Sequence, residues 1–126
     1  MKLEHVALNV PDPQATAAWY RDQLGLRIAK AEGEPQFIHF LADEQGSMLE
    51  FYRNPAAEVP SYWDIDPFTL HLAFATDDID QARAQLTEAG GRAEGEIATN
   101  PAGDKLAFVR DPWGVAIQLV MRAKAF

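Results

Sequence analysis

Apolar and polar side chains alternate over residues 2–10, which predicts a β-strand with His5 on the face opposite Val6. Asp12 and the proline after it then indicate a helix start, because aspartate caps free amides and proline tolerates the first helical position. An apolar stripe at helical spacing follows and ends at Gly25, a common C-terminal stop. Three more strands are predicted over residues 26–31, 36–42 and 47–53.

The same order of elements returns in the second half of the chain. Residues 69–76 alternate as a strand that places His71 on the face opposite Leu70. Asp77 or Asp78 caps a helix whose apolar stripe ends at a pair of glycines. Three further strands are predicted over residues 92–98, 105–110 and 115–121.

Fixed offsets relate the two halves residue by residue. Adding 66 carries His5 to His71, and adding 68 carries Glu50 to Gln118. The change of offset predicts two extra residues in the second copy, in the loop around residues 99–104. An internal repeat of a βαβββ unit predicts an α+β fold in which two modules and a linker form one domain. The first module, the linker and the second module are expected at residues 1–53, 54–67 and 68–126.

The composition narrows the class of protein. A chain of 126 residues can bury a core without disulfides, and the absence of cysteine removes thiolate nucleophiles and sulfur-ligated metals. The 11 Lys and Arg against 19 Asp and Glu give a net charge of -8, which would repel the phosphate backbone of a nucleic acid. No apolar run could cross a bilayer, and the N-terminus does not resemble a signal peptide. We therefore expect a cytoplasmic protein that binds neither nucleic acid nor membrane.

Four polar side chains occupy equivalent places in the two copies: His5, Glu50, His71 and Gln118. Strand parity puts each on the face away from the bulkiest apolar residues, which suggests that helices cover one face while the other lines a cavity. Two imidazoles, a carboxylate and an amide oxygen suit a divalent ion such as Zn, Ni, Co, Mn or Fe. Each residue alone is more simply explained as a hydrogen-bonded side chain. The symmetric placement of all four in the two copies favours a metal. His39, whose counterpart is Ala107, is interpreted as structural or pocket-lining.

Five stretches carry a resemblance to a known family: LEHVALNV, WYRDQLGL, MLEFY, LHLAFAT and VRDPWGVAIQL. At these residues the chain resembles the vicinal oxygen chelate superfamily, which includes glyoxalase I, bleomycin resistance proteins, extradiol dioxygenases and methylmalonyl-CoA epimerase. The resemblance implies two βαβββ modules in a half-closed mixed sheet around a central cavity and a metal. It implicates the same four residues as ligands, and it implies a small-molecule substrate and a homodimer.

The resemblance also implies a reaction type. Family members chelate vicinal oxygens with a metal that acts as a Lewis acid and stabilises an enediolate. We therefore expect a glyoxalase-like, metal-dependent lyase or isomerase similar to lactoylglutathione lyase. Gln118 departs from the pattern, because glyoxalases carry a carboxylate base there and an amide cannot accept a proton near neutral pH. Glu50 is then the expected catalytic base, unless a metal-bound hydroxide takes the proton.

Other functions are compatible with the same residues. A metal-free protein that sequesters a small aromatic or antibiotic-like ligand, as bleomycin resistance proteins do, needs the four polar side chains only to bond one another or water. A catalytically silent accessory protein is a third reading. An extradiol dioxygenase is less consistent, because its His, His, Glu triad takes the glutamate from the final strand, where this chain has Gln118.

Substrate contacts are expected from Asn9 and from aromatic residues of the linker and the last turn. Asn9 stands where glutathione-dependent glyoxalases often carry an arginine, which argues against glutathione as the substrate's thiol. Tyr62, Trp63 and Trp113 would rim an apolar pocket. The alternative is that these rings pack the linker onto the sheet.

Overall fold

The computed structural model describes residues 1–126, the whole chain. In chain order the elements are β1 His5–Asn9, α1 Pro13–Leu24, β2 Arg27–Ala31, β3 His39–Ala42, β4 Met48–Tyr52, a 3-10 helix Tyr62–Asp64, β5 Leu72–Ala75, α2 Ile79–Glu88, β6 Arg92–Thr99, β7 Lys105–Arg110 and β8 Ala116–Met121. The chain divides into two compact units, Met1–Pro60 and Ser61–Phe126. Each unit holds a strand, a helix and three strands, which confirms the predicted α+β fold of two βαβββ modules.

The first unit is a four-stranded mixed sheet with the strand order β1-β4-β3-β2. β1 runs parallel to β4, and β3 runs antiparallel to both β4 and β2. Glu50 of β4 stands opposite Ala7 of β1 and opposite Phe40 of β3. Because paired positions project to the same side of a sheet, these three side chains share one face.

Helix α1 covers the other face of that sheet. Its N-terminus is capped by Asp12, whose carboxylate accepts a hydrogen bond from the Ala15 N–H at 3.0 Å. Gly25 ends the helix with a φ of 70°. Tyr20 of α1 packs on Phe51 of β4 with ring centroids 4.9 Å apart, and both rings are buried. Since Phe51 follows Glu50 along the strand, Glu50 points away from α1.

The second unit repeats this layout with the strand order β5-β8-β7-β6. β5 runs parallel to β8, while β7 pairs antiparallel with β8 and β6. Of the two aspartates predicted to cap α2, Asp78 does so, because its carboxylate accepts a hydrogen bond from the Gln81 N–H at 3.0 Å. Leu86 of α2 and Ile117 of β8 are fully buried in the core of this unit.

One turn geometry recurs in the two units. In the β3–β4 hairpin, Asp43 Oδ1 accepts hydrogen bonds of 2.9 Å from the backbone N–H groups two and four residues later. Asp111 does the same in the β7–β8 hairpin, again at 2.9 Å. The glycines three residues on, Gly46 and Gly114, have φ values of 89° and 101° that other residues rarely adopt. The repeat in the sequence is therefore a repeat of structure.

The strand prediction differs from the structure in where some strands begin and in how far two apolar residues are covered. β1 begins at His5 rather than at residue 2, because β1 is an edge strand and its pairing with β4 starts at Met48. The predicted strand over residues 69–76 begins only at Leu72, so Leu70 and His71 precede β5. Val6 and Leu70, predicted on the apolar faces of their strands, are 42% and 41% exposed. Alternation identified the faces, but a strand at the edge of a sheet is covered less completely than a central one.

The β6–β7 hairpin accounts for the longer second copy. It extends to Thr99 opposite Lys105 and contains a register shift between Glu94 and Ala98. The corresponding hairpin of the first unit extends only to Ala31 opposite His39. No helix of the chain is both long enough and apolar enough to span a bilayer.

Candidate functional site

His5 and Glu50 lie within contact distance of each other. Nε2 of His5 is 3.2 Å from Oε2 of Glu50. The register produces this contact, because Ala7 stands opposite Glu50 and His5 precedes Ala7 by two residues on the same side of β1. The Glu50 side chain is only 13% exposed. The pair therefore lies on the face of the sheet away from α1, with the carboxylate largely shielded from water and the imidazole partly exposed.

His5 has a carboxylate at each ring nitrogen. Its Nδ1 is 2.5 Å from Oε2 of Glu4, while Nε2 faces Glu50. The hydrogen bond to Glu4 is the main reason that the pKa of His5 is raised above its ordinary value, and Glu50 adds to this effect while burial opposes it. Two carboxylates around one ring call for positive charge, supplied by an imidazolium or by a cation at Nε2 of the neutral ring.

The His5 and Glu50 donor atoms suit a shared divalent ion. Two ligand atoms about 2.1 Å from an ion, at an angle of about 90–109°, lie about 3.0–3.4 Å apart. The observed separation of 3.2 Å lies within this range. Glu4 at Nδ1 occupies the place of the carboxylate that commonly orients a ligating histidine. This pair therefore fits two of the predicted ligands.

His71 is held by a backbone carbonyl in the second unit. Its Nδ1 lies 2.7 Å from the carbonyl oxygen of Pro67. Because a carbonyl oxygen can only accept, Nδ1 carries the proton and Nε2 of the neutral ring keeps its lone pair. This is the tautomer and the kind of partner that a metal-ligating histidine commonly has.

Gln118 projects to the same side of its sheet as His71. It stands opposite Phe108 of β7, whose ring packs against the ring of His71, and His71 directly precedes β5. The Gln118 side chain is half-buried in the middle of β8. Within the second unit, the imidazole and the amide thus share one face, as the imidazole and the carboxylate do in the first.

An aromatic ring accompanies the histidine in each unit. His5 packs edge-on against Phe40 with ring centroids 5.3 Å apart, and His71 packs edge-on against Phe108 at 5.5 Å. Each phenylalanine stands opposite the polar residue of the neighbouring strand. The phenylalanine ring limits where the imidazole can lie, so the equivalent arrangement fixes the histidine in both copies.

The structure brings His5 and Glu50 into contact and puts His71 and Gln118 on one face. No group of three or more His, Cys, Asp or Glu side chains is arranged to hold a metal ion. The assembly of all four residues around one metal, and the catalytic role of Glu50, therefore remain predictions.

Asn9, a predicted substrate contact, holds the chain that follows β4. Its side-chain oxygen accepts from the Asn54 N–H at 2.8 Å. Its NH2 group donates to the carbonyls of Asn54 at 3.0 Å and Ala57 at 3.1 Å. The contacts anchor residues 54–58, and a role in substrate binding stays a prediction.

Tyr62 and Trp63 belong to the 3-10 helix at the start of the second unit. The Tyr62 side chain is buried, whereas Trp63 is 40% exposed. The Trp63 ring stacks on the guanidinium of Arg92 at 4.5 Å, and a Cβ at Gly114 would lie 2.7 Å from it. These contacts pack the segment onto its own unit, and contact with a substrate stays a prediction for both residues.

Trp113 and His39 have simpler surroundings. Trp113 is half-buried in the β7–β8 turn, where its N–H donates to Asp111. His39 is buried in β3, and its Nδ1 donates to the Phe37 carbonyl at 2.6 Å. That hydrogen bond agrees with a structural role for His39, and the contact of Trp113 with a substrate remains untested.

Arg110 is a buried polar residue that the sequence pattern does not predict. This residue is 3% exposed at the end of β7, and its guanidinium donates to Glu94 and to three backbone carbonyls. In the sequence it is only a charged residue at the end of a predicted strand, which is typical of an exposed side chain. The carbonyl acceptors are backbone atoms and leave no signal in the amino-acid pattern.

Known proteins match the chain over most of its length. The family profile of the Glyoxalase/Bleomycin resistance protein/Dioxygenase superfamily matches residues 2–119. A lactoylglutathione lyase of Salmonella typhimurium is 25% identical over 132 residues, covering 95% of this chain and 92% of the relative. An ethylmalonyl-CoA/methylmalonyl-CoA epimerase of Cereibacter sphaeroides is 29% identical over 110 residues, covering 75% of each.

A solved structure supports the same assignment at the level of the fold. A glyoxalase family protein from Bacillus cereus superposes with a TM-score of 0.81 over 98% of this chain and 95% of its own, at 20% identity. Its fold and the two βαβββ units agree with a family profile that spans nearly the whole chain. The chain therefore belongs to the glyoxalase/bleomycin resistance protein/dioxygenase superfamily.

Proposed function

We propose that the protein is a glyoxalase-type, metal-dependent lyase or isomerase that moves a proton between neighbouring carbons of a small substrate with adjacent oxygens. The observation that carries the proposal is the 3.2 Å contact between His5 Nε2 and Glu50 Oε2 on the face away from α1. Relatives named lactoylglutathione lyase and ethylmalonyl-CoA/methylmalonyl-CoA epimerase support a glyoxalase-type function.

The proposed ligands of a divalent ion are His5, Glu50, His71 and Gln118. The ion, when bound, supplies a Lewis acid that stabilises negative charge on the substrate oxygens. Glu4 and the Pro67 carbonyl hold the two imidazoles from Nδ1, so that both present Nε2. The proposal includes a homodimer, in which the second pair would come either from the same chain or from the second subunit.

Glu50 is the proposed general base, since it is the one carboxylate of the set. Its Oε2 contacts His5, which leaves Oε1 to take a proton from the carbon beside a carbonyl. The same carboxylate would return that proton to the neighbouring carbon. A side chain that is only 13% exposed limits exchange of the proton with bulk water during this transfer.

Gln118 has a different role in the proposed mechanism. Its amide cannot take a proton near neutral pH, but its oxygen can ligate and its NH2 group can donate to a substrate oxygen. The two copies thus divide the work, because the first supplies the base and the second only binds and orients. One carboxylate must then both remove and return the proton.

Metal analysis tests the proposal most directly. Protein purified without chelator is expected to hold a divalent metal, or to take up added Ni, Zn or Mn, and the His5→Gln variant is expected to hold less. Glu44→Gln, at an exposed turn of the same unit, serves as the control. The proposal fails if no metal is bound or taken up. Ligand binding that a chelator leaves unchanged would favour a metal-free binding protein instead.

Exchange of a substrate proton with D2O tests the base. A hemithioacetal of methylglyoxal and a branched acyl-CoA are suitable probes, because both carry an acidic proton beside a carbonyl. Glu50→Gln should slow the exchange about 100-fold or more while Glu44→Gln leaves it unchanged. Equal rates in Glu50→Gln and the native protein would remove Glu50 from this role.

A carboxylate introduced at position 118 of the second copy tests whether a single base limits the reaction. Gln118→Glu supplies a second carboxylate and should raise the exchange rate if a single base limits the reaction. An unchanged rate in a variant that still holds metal would argue against that limit. Metal content measured on the same sample separates a lost ligand from an unneeded base.

A further inference from the structure

Arg110 uses every one of its side-chain donors inside the second unit. Nε donates to Glu94 at 2.8 Å, and Nη2 donates to the other oxygen of that carboxylate at 3.3 Å. Nη1 donates to the carbonyls of Tyr62 and Gly114, both at 2.9 Å. Nη2 also donates to the carbonyl of Ile65 at 2.9 Å. A guanidinium has five N–H donors, so the side chain is fully satisfied.

Burial of this charge needs a reason beyond stability. A buried charge costs free energy even when it is paired, and an apolar side chain of similar size is often no worse for stability. One charge partner, Glu94, accepts from two of the five N–H donors. The three carbonyls are what only an arginine can hold at once, because its donors are fixed in one plane.

Two of these carbonyls belong to the segment that leads to His71. The backbone from Tyr62 to Ile65 is fixed by Arg110, and Asp66 follows directly. The Asp66 carboxylate accepts from the Phe68 N–H at 2.8 Å. The Asp66 carbonyl accepts from the N–H groups of residues 69 and 70.

The turn that begins at Asp66 contains Pro67, whose carbonyl holds His71 Nδ1 at 2.7 Å. A continuous series of short contacts therefore runs from the Arg110 guanidinium to the His71 ring. The first unit has Ala42 at the position equivalent to Arg110, and its histidine is held instead by a side chain, Glu4.

We propose that Arg110 is a positioning residue for His71. By holding the carbonyls of Tyr62 and Ile65, it keeps the Pro67 carbonyl where it accepts the Nδ1 proton, so that His71 presents the lone pair of Nε2. The consequence for metal binding rests on the proposed function, whereas the effect on the tautomer of His71 does not. Arg110 itself touches neither the metal nor the substrate.

The tautomer is measured in long-range 1H–15N spectra of the histidine rings, with the His71 signals assigned through His71→Gln. Spectra at about pH 9, well above the ordinary imidazole pKa of about 6.5, report the neutral ring. The native protein should show His71 protonated at Nδ1. Arg110→Lys keeps the charge but loses the planar fork, and should give a mixture with the Nε2 tautomer.

Matched variants separate positioning from folding. Arg83→Met removes an arginine of the same unit that bonds to the carbonyl of Gly95, and should leave the His71 tautomer unchanged. Glu94→Gln retains an acceptor for Arg110 and should change the tautomer of His71 less than Arg110→Lys does. It also keeps the test available if Arg110→Lys does not fold.

Zn uptake at neutral pH provides the second measurement. Arg110→Lys should weaken Zn affinity about tenfold or more, as losses of outer partners of ligating histidines do. The proposal is overturned if a folded Arg110→Lys variant keeps the native tautomer of His71. It is also overturned if Arg83→Met changes that tautomer as much as Arg110→Lys does. If the native protein takes up no Zn, the proposed function fails, and the tautomer of His71 still decides the role of Arg110.

Discussion

The Asp43 turn of the first unit and the Asp111 turn of the second have the same backbone hydrogen bonds but different surroundings. A Cβ at Gly46 would meet no atom within 4 Å, whereas a Cβ at Gly114 would lie 2.7 Å from Trp63. Asp111 is fully buried and Asp43 is only partly covered. Local sequence forms both turns. Only the Asp111 turn is covered by the 3-10 helix that contains Trp63, and this cover determines how much a change in the turn destabilises its unit.

The largest difference is expected between the two turn glycines. Gly46→Ala and Gly114→Ala both force alanine to a positive φ, at a cost of about 1–2 kcal/mol. Gly114→Ala should cost about 1–3 kcal/mol more, because the new methyl group collides with the ring and backbone of Trp63. Urea unfolding measures both changes in the free energy of unfolding. Equal losses would show that Trp63 does not press on the turn in solution.

Removal of the turn carboxylates should give the next largest difference. Asp111→Ala leaves two backbone N–H groups without their acceptor in a buried place, which should cost about 2–4 kcal/mol. Asp43→Ala removes the same two bonds where water can replace them, at about 1 kcal/mol. The midpoints of urea unfolding report the two losses. A greater loss of unfolding free energy for Asp43→Ala than for Asp111→Ala would contradict the role of the segment that covers the Asp111 turn.

Asn9 provides a test in the first unit. Its side chain holds residues 54–58, so Asn9→Ala should lower the free energy of unfolding by about 1–2 kcal/mol. Asn9→Asp keeps the acceptor for the Asn54 N–H but loses the donors. Its free energy of unfolding should lie between those of the native protein and Asn9→Ala. Proteolysis within residues 54–58 should quicken in the same order. Native stability with altered substrate affinity would instead support the predicted substrate contact.

The smallest effect concerns acid. The pKa of Asp43 is lowered by backbone hydrogen bonds, first that of Ser47, and the pKa of Asp104 is lowered first by the Ala123 N–H. A lowered folded-state pKa contributes stability above the ordinary aspartate pKa, and this contribution is lost as the pH falls through the folded value. Asp43→Asn and Asp104→Asn should therefore each flatten the decline of thermal stability between about pH 4 and pH 2. Unchanged slopes would contradict this.

Much of the fold could be predicted because the deciding signals are local and occur twice. Caps at Asp12 and Asp78, a stop at Gly25 and alternation along the strands all correspond to features of the structure. Strand parity also predicted that His5 and Glu50 share a face, and the register of β1 with β4 brings them to 3.2 Å. Residue spacing is sufficient here because neighbouring strands translate it directly into position.

The anchors of the connecting segment could not be predicted in the same way. Asn9 and Arg110 bind mainly backbone carbonyls and N–H groups, which every residue has, so no particular residue type marks their partners. The tautomer of His71 depends on such a carbonyl as well. Neither parity nor offset determines how the four proposed ligands would meet.

The two anchors also bear on the order in which contacts form during folding. Asn9 bonds to Asn54 and Ala57, 45 and 48 positions away, and Arg110 bonds to Ile65 and Tyr62, again 45 and 48 positions away. Closing such long loops costs chain entropy before the bonds repay it, so we expect these contacts to form after the helices and hairpins. Contacts made after the rate-limiting step affect mainly the unfolding rate. Changes at Asn9 or Arg110 should thus shorten the lifetime of the folded state while leaving the speed of folding nearly unaltered.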